Sequence, residues 1–188
     1  MCGCYRTNAA RYLSTLFCKE MKTIAAIFVI VVVMLASCDV DYRPSQKDYA
    51  LATAKAIETA VNNFYAEYGY LPTTLTNDTE INTKDNTDFL NIILGLESTS
   101  GTQLNKRQIK FLMVKEGKNN KDGLIYNSAS TAVTGLYDPW GGPYRVMLDA
   151  DNDEHLKVNG KALYNRRVAV WSDGPDRIAG TKDDIKTW

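Results

Sequence analysis

Residues 45–69, SQKDYALATAKAIETAVNNFYAEYG, decide the fold. Tyr49, Ala56, Ile57, Ala60, Val61, Phe64 and Tyr68 recur at three- and four-residue steps, so a helix gathers them into one apolar stripe. Lys55, Glu58, Asn62 and Glu67 fall on other faces. Ser45 and Asp48 have the spacing of a capping box, Pro44 precedes them, and Gly69 is placed to end the helix in a left-handed turn. The pattern predicts a helix over about 45–68, with an extended exit forced by Pro72.

Downstream, residues 73–87 are polar turn formers and read as a loop, and DFLNIILGL reads as a short helix opening near Asn86 or Thr87. QIKFLMV reads as an extended segment, bracketed by the turn cluster Gly117, Asn119, Asn120, Asp122 and Gly123. From Tyr144 the period changes to two: YRVMLD, HLKV and RRVAVW read as strands separated by DADNDE and VNGKALYN. A long helix, a mixed region and then a meander over about 143–172 predict an α+β domain, the helix packed on a small antiparallel sheet.

Upstream, Lys22 is followed by IAAIFVIVVVMLAS, an apolar run shorter than a bilayer span and of the kind found in a signal peptide. Leu35, Ala36 and Ser37 before Cys38 form a lipobox-like end, in which the cysteine becomes the lipidated first residue of the mature chain. On this reading residues 21–38 are the signal peptide, Met21 the natural start, and residues 1–20 a leader or a start assigned too early. The alternative is an uncleaved signal anchor. Both readings place the domain of residues 39–188 outside the cytoplasm, in a bacterial envelope facing the periplasm, with the membrane as its first partner.

All four cysteines, Cys2, Cys4, Cys18 and Cys38, precede that domain, which therefore has no thiol for a disulfide or zinc site. The whole chain is formally neutral, and the first 38 residues hold Arg6, Arg11, Lys19 and Lys22 against Glu20, so the remainder is acidic. That balance argues against a nucleic-acid partner. His155 is the single histidine, no nucleophile elbow accompanies it, and no glycine-rich phosphate loop is present. No small-molecule substrate is implied, and the chain reads as non-enzymatic.

Two acidic segments remain. Asp149, Asp151 and Asp153 alternate as in the first half of an EF-hand loop, but no glycine follows at the sixth position and Glu154 is not twelve along, so a solvated turn is the preferred reading. The terminal WSDGPDRIAGTKDDIKTW, residues 171–188, offers Asp173, Asp176, Asp183 and Asp184, with Gly174 and Gly180 at the bends. Such a loop suits a hard cation that takes about six to eight oxygens.

Four segments, in order, resemble the major, G-type pseudopilin of type II secretion systems and its pilin-like relatives: the helix exit FYAEYGYLPTT, the weaker NKRQIKFLMV, DPWGGPYRV at 138–146, and the terminal SDGPDRIAGTKDDIKTW. The resemblance covers roughly 45–188. It implies a pilin-like fold ending in a structural calcium loop, with Asp173, Asp183 and Asp184 as side-chain ligands, Ser172 as a further one, and Asp176 where Pro175 alters the family spacing. In Asp138, Pro139, Trp140 and Gly141 it implies a structural turn. Partners would be other pseudopilins or secretion-machine components.

One departure matters. Pseudopilins carry a glycine before the cleavage site and a glutamate at the fifth mature position; here Ile27 precedes Phe28 and Val32 lies four residues on. The alternative to a filament subunit is therefore a lipid-anchored calcium- or ligand-binding module.

Overall fold

A computed structural model describes residues 44–129 and 132–188. The expected signal segment and Cys38 lie outside them, and no helix among the described residues is long and apolar enough to cross a membrane. The described body is α+β.

Helix α1 spans Gln46–Tyr68. Ser45 is extended at φ −69° and ψ 162°, accepts from the Asp48 N–H, and has its own N–H taken by the Asp48 carboxylate. Gly69, at φ 77°, closes the helix by donating to the Tyr65 carbonyl. Of the stripe, Ile57, Ala60, Val61 and Phe64 are fully buried and Ala56 and Tyr68 half-buried, with Ala54 joining them at full burial; Tyr49 is exposed, its ring under the Lys115 ammonium.

Residues 73–87 are not wholly loop. They contain strand β1, Glu80–Asn82, which pairs antiparallel with β4 and so gains order from a partner far along the chain. Helix α2 then spans Thr87–Leu94, capped by the Asn86 side chain. The expected extended segment 108–114 forms no strand: it is irregular chain held to the end of α2 by the Phe111 and Leu112 N–H groups on the Ile93 carbonyl. Asn105, fully buried, ties this region together; its amide donates to the Ile92 and Ile109 carbonyls and its oxygen accepts from Tyr68 Oη.

β2, Gly123–Tyr126, and β3, Val133–Tyr137, form a separate hairpin. The expected meander is replaced by two sheets. β4, Tyr144–Leu148, pairs directly with β7, Val168–Ser172, while β5, His155–Val158, and β6, Lys161–Tyr164, fold off as their own hairpin. With β8, Ile185–Lys186, the main sheet runs β1-β4-β7-β8, all antiparallel.

β7 explains the division. All five of its residues are buried. Val168 and Val170 join the α1 core, and Ala169 and Trp171 join Leu156, Val158 and Leu163 of the second hairpin, with Met147 and Trp188 alongside. Covering both faces of one strand needs a helix on one side and a hairpin on the other. A single meander cannot supply both.

Candidate functional site: two carboxylate clusters

β7 and β8 are in register at Ser172↔Ile185, so residues 173–184 form a loop closed by the sheet. The Ser172 hydroxyl donates to Asp138 Oδ2 at 2.5 Å and accepts from the Gly174 N–H at 3.1 Å. Asp138 is fully buried at the start of the DPWGGPY turn; its other oxygen accepts from the Trp140 and Gly142 N–H groups at 2.9 and 2.8 Å. Burial raises the Asp138 carboxyl above the ordinary carboxylate range, and these hydrogen bonds offset the shift only in part. Trp140 itself is half-buried, so the turn is held by Asp138 more than by indole burial. The Arg177 guanidinium donates to the Trp140 carbonyl, which fastens the loop to the turn a second time.

Asp173 is 7% exposed. Nε and Nη2 of Arg145 both reach its Oδ2 at 2.9 Å, while Oδ1 is buried without a partner. Next to it, Gly174 lies at φ 70°, and a Cβ there would sit 2.4 Å from the Asp183 carbonyl oxygen and 3.2 Å from Asp183 Oδ2. The glycine thus brings Asp183 up to the residue that follows Asp173. Asp183 accepts from the Thr181 hydroxyl at 2.6 Å and the Asp176 N–H at 3.3 Å; the hydroxyl contributes most to holding its carboxyl below the usual range. Asp184 accepts from the Gly180 N–H and Lys186 Nζ, each at 3.0 Å, and Asp176 from the Ile178 N–H at 2.8 Å. Asp176, Asp183 and Asp184 therefore each have protein donors, and one buried oxygen, on Asp173, has none.

The second cluster assembles differently. Asp149, directly after β4, is almost fully buried, and Asp151 and Asp153 follow in a tight turn with Asn152 and Glu154 at φ 59° and 58°. Asp78, from the loop before β1, accepts from the Ala150 N–H at 2.8 Å and so enters the same turn. One oxygen from each of Asp78, Asp149, Asp151 and Asp153 lies within 4.8 Å of the others, a grouping able to hold a metal ion. Asp149 spends both oxygens on the Asp153 and Glu154 N–H groups. Burial raises the Asp78 and Asp149 carboxyls, and the neighbouring aspartates raise them further. The run 149–153 was legible as alternating carboxylates, but Asp78 was not, because no local spacing connects it to them.

The expected ligands thus divide. Ser172, Asp173 and Asp183 are gathered near Gly174, Asp184 turns to Lys186, and Asp176 caps its own turn. His155 stacks obliquely on Tyr164, ring centroids 4.9 Å apart, beside this chemistry but outside it. No protein-family model, curated protein or solved structure matches the chain.

Proposed function

We propose that the chain is a non-enzymatic, pseudopilin-like structural module of a type II secretion or pilus-like system, membrane-anchored, facing the periplasm and stabilised by calcium. The observation that carries the reading is the Asp138–Ser172 hydrogen bond, which joins the DPWGGPY turn to the start of the terminal loop. The two most specific motifs of the resemblance, 34 residues apart at that bond, are one physical unit on a sheet covered by α1.

Calcium suits the donors. All are oxygens, the loops are irregular, and the ion accepts variable geometry. In the terminal loop the orphaned Asp173 Oδ1 is what a cation would use, with Ser172 and Asp183, brought close by Gly174, as further donors and Asp184 joining them only on release of Lys186. The four-aspartate cluster offers a second position, where oxygens already converge without a basic side chain among their hydrogen-bond partners.

One observation favours the tethered-module alternative. Ser45 is extended and doubly bonded to Asp48, so α1 begins there by its own cap. A filament subunit built on a continuous helical rod has no use for such a start. Mass analysis of the mature N-terminus separates the two: a diacylated Cys38 supports the tethered module, and a methylated, unlipidated terminus supports the filament subunit. Calcium is tested by thermal unfolding with and without chelator; identical midpoints remove it from the proposal.

A further inference from the structure

We infer that the segment Asp138–Arg145 is the positioning element of the terminal-loop cation site: it holds loop donors in place without itself touching the ion. The inference rests on the calcium reading of that loop. Three contacts leave this segment, one for Ser172 at the end of β7 and two for the loop that follows it. The Asp138 carboxylate receives the Ser172 hydroxyl, the Arg145 guanidinium grips Asp173 Oδ2 with two nitrogens, and the Trp140 carbonyl takes Arg177.

Each contact has a directional consequence. By accepting the hydrogen bond of the Ser172 hydroxyl, Asp138 leaves the hydroxyl's lone pairs as acceptors; one receives the Gly174 N–H, and the oxygen becomes a better donor to a cation. By occupying Oδ2 alone, Arg145 fixes the rotation of the Asp173 carboxylate and keeps Oδ1 buried and unspent. Arg145 is itself steadied from the other side by Glu80 of β1. Asp138 cannot drift, because Gly142 sits against it: a Cβ there would lie 2.8 Å from Asp138 Oδ2. The aspartate that opens DPWGGPY and the arginine that follows the motif therefore act on consecutive residues, 172 and 173, where β7 passes into the loop. A turn serving only to reverse the chain needs neither contact.

The test is calcium calorimetry on the full chain carrying Asp151→Asn and Asp153→Asn, so that the terminal loop alone titrates. In that background Asp138→Asn keeps the shape but, with its oxygen held by the Trp140 and Gly142 N–H groups, turns an amide N–H towards Ser172 and removes the acceptor, and Arg145→Lys keeps the charge but loses the two-nitrogen grip. Outer partners of this kind alter metal affinity by roughly ten- to a hundredfold, and that is the weakening expected for Asp138→Asn, with a smaller one for Arg145→Lys. Titration well below each variant's melting temperature separates lost affinity from lost stability. Adding Ser172→Ala to Asp138→Asn should cost less than the two single losses multiplied, because Asp138 acts through Ser172. If the background binds calcium and both variants bind it equally well, the positioning role is wrong and the loop site stands. If the background binds none, the loop site falls and takes this inference with it.

Discussion

The terminal loop and the Asp149 turn hold similar numbers of aspartates and treat them in opposite ways. In the loop, carboxylates are met by Arg145, Lys186, the Thr181 hydroxyl and backbone N–H groups, leaving one buried oxygen on Asp173 unanswered. In the turn, four carboxylates converge, and the donors that reach them are backbone N–H groups. Neutralised carboxylates stabilise an ion-free fold and must be rearranged to receive a cation. Unneutralised ones strain the ion-free fold and need only be filled. Counting acidic residues in a segment does not separate the two cases; the partners that folding delivers do.

The sharpest way to break the comparison is Gly174→Ala. A left-handed φ costs a non-glycine residue roughly 1–2 kcal/mol, and forcing atoms into a packed site typically adds 1–3. Here the obstacle is the Asp183 backbone carbonyl, which has no rotamer to yield. A loss of about 3 kcal/mol in urea unfolding is expected, against roughly 1–2 kcal/mol for Gly160→Ala, where φ is also positive but nothing lies within 4 Å, so that only the backbone cost remains. Equal losses would show that backbone conformation alone sets the cost.

Calcium comes next. At a free concentration a hundred times its Kd, one site adds about 2.7 kcal/mol to unfolding. The two regions then separate by the sign of their variants in chelator. Asp184→Asn gives up the Lys186 pair and should destabilise the ion-free protein by about 1 kcal/mol. Asp151→Asn with Asp153→Asn relieves repulsion and should stabilise it by roughly 0.5 kcal/mol. Paired melting curves with and without chelator read both numbers, and the same sign for both variants would erase the distinction between the clusters.

This contrast also marks what the sequence could disclose. Helix α1 was legible to within a residue because its cap, stripe and closing glycine are local. The α+β class followed from the change of period at Tyr144. The pairing of β4 with β7 was hidden, because VAVWS has no polar alternation to declare a face: it is buried on both. β1 was hidden for the converse reason, three residues of polar loop made into strand by the Arg145–Met147 edge they meet. At the site, the acidic residues of the terminal loop could be read from the sequence, but the pairing of Asp173 with Arg145 could not. That arginine sits in a strand whose register only the fold sets.

The smallest effect expected is a pH slope. The Asp78 and Asp149 carboxyls titrate above the ordinary value of 3.8, first because of burial and then because of the neighbouring Asp151 and Asp153 charges, with Asp149 adding to the shift of Asp78. Between the ordinary value and the raised one, the native protein binds more protons than the unfolded chain. The derivative of unfolding free energy with pH is then negative, so in chelator this cluster's contribution to stability falls as pH rises through that window. The terminal loop opposes it. Asp183 titrates below the ordinary value, so its contribution is present above 3.8 and lost as pH falls through the lowered value. The two windows lie on opposite sides of 3.8, so urea unfolding across mildly acidic pH reads the cluster together with Asp138, whose carboxyl burial also raises, and variants of the cluster separate its share. Asp151→Asn with Asp153→Asn removes part of the charge that raises Asp78 and should flatten the slope, and Asp183→Asn should leave it intact. Saturating calcium should reverse it, because a cation binds the deprotonated carboxylates and is displaced by protons. A slope in chelator that rises with pH across that window would mean that a positive group already serves the cluster, and the difference drawn between the two regions would be lost.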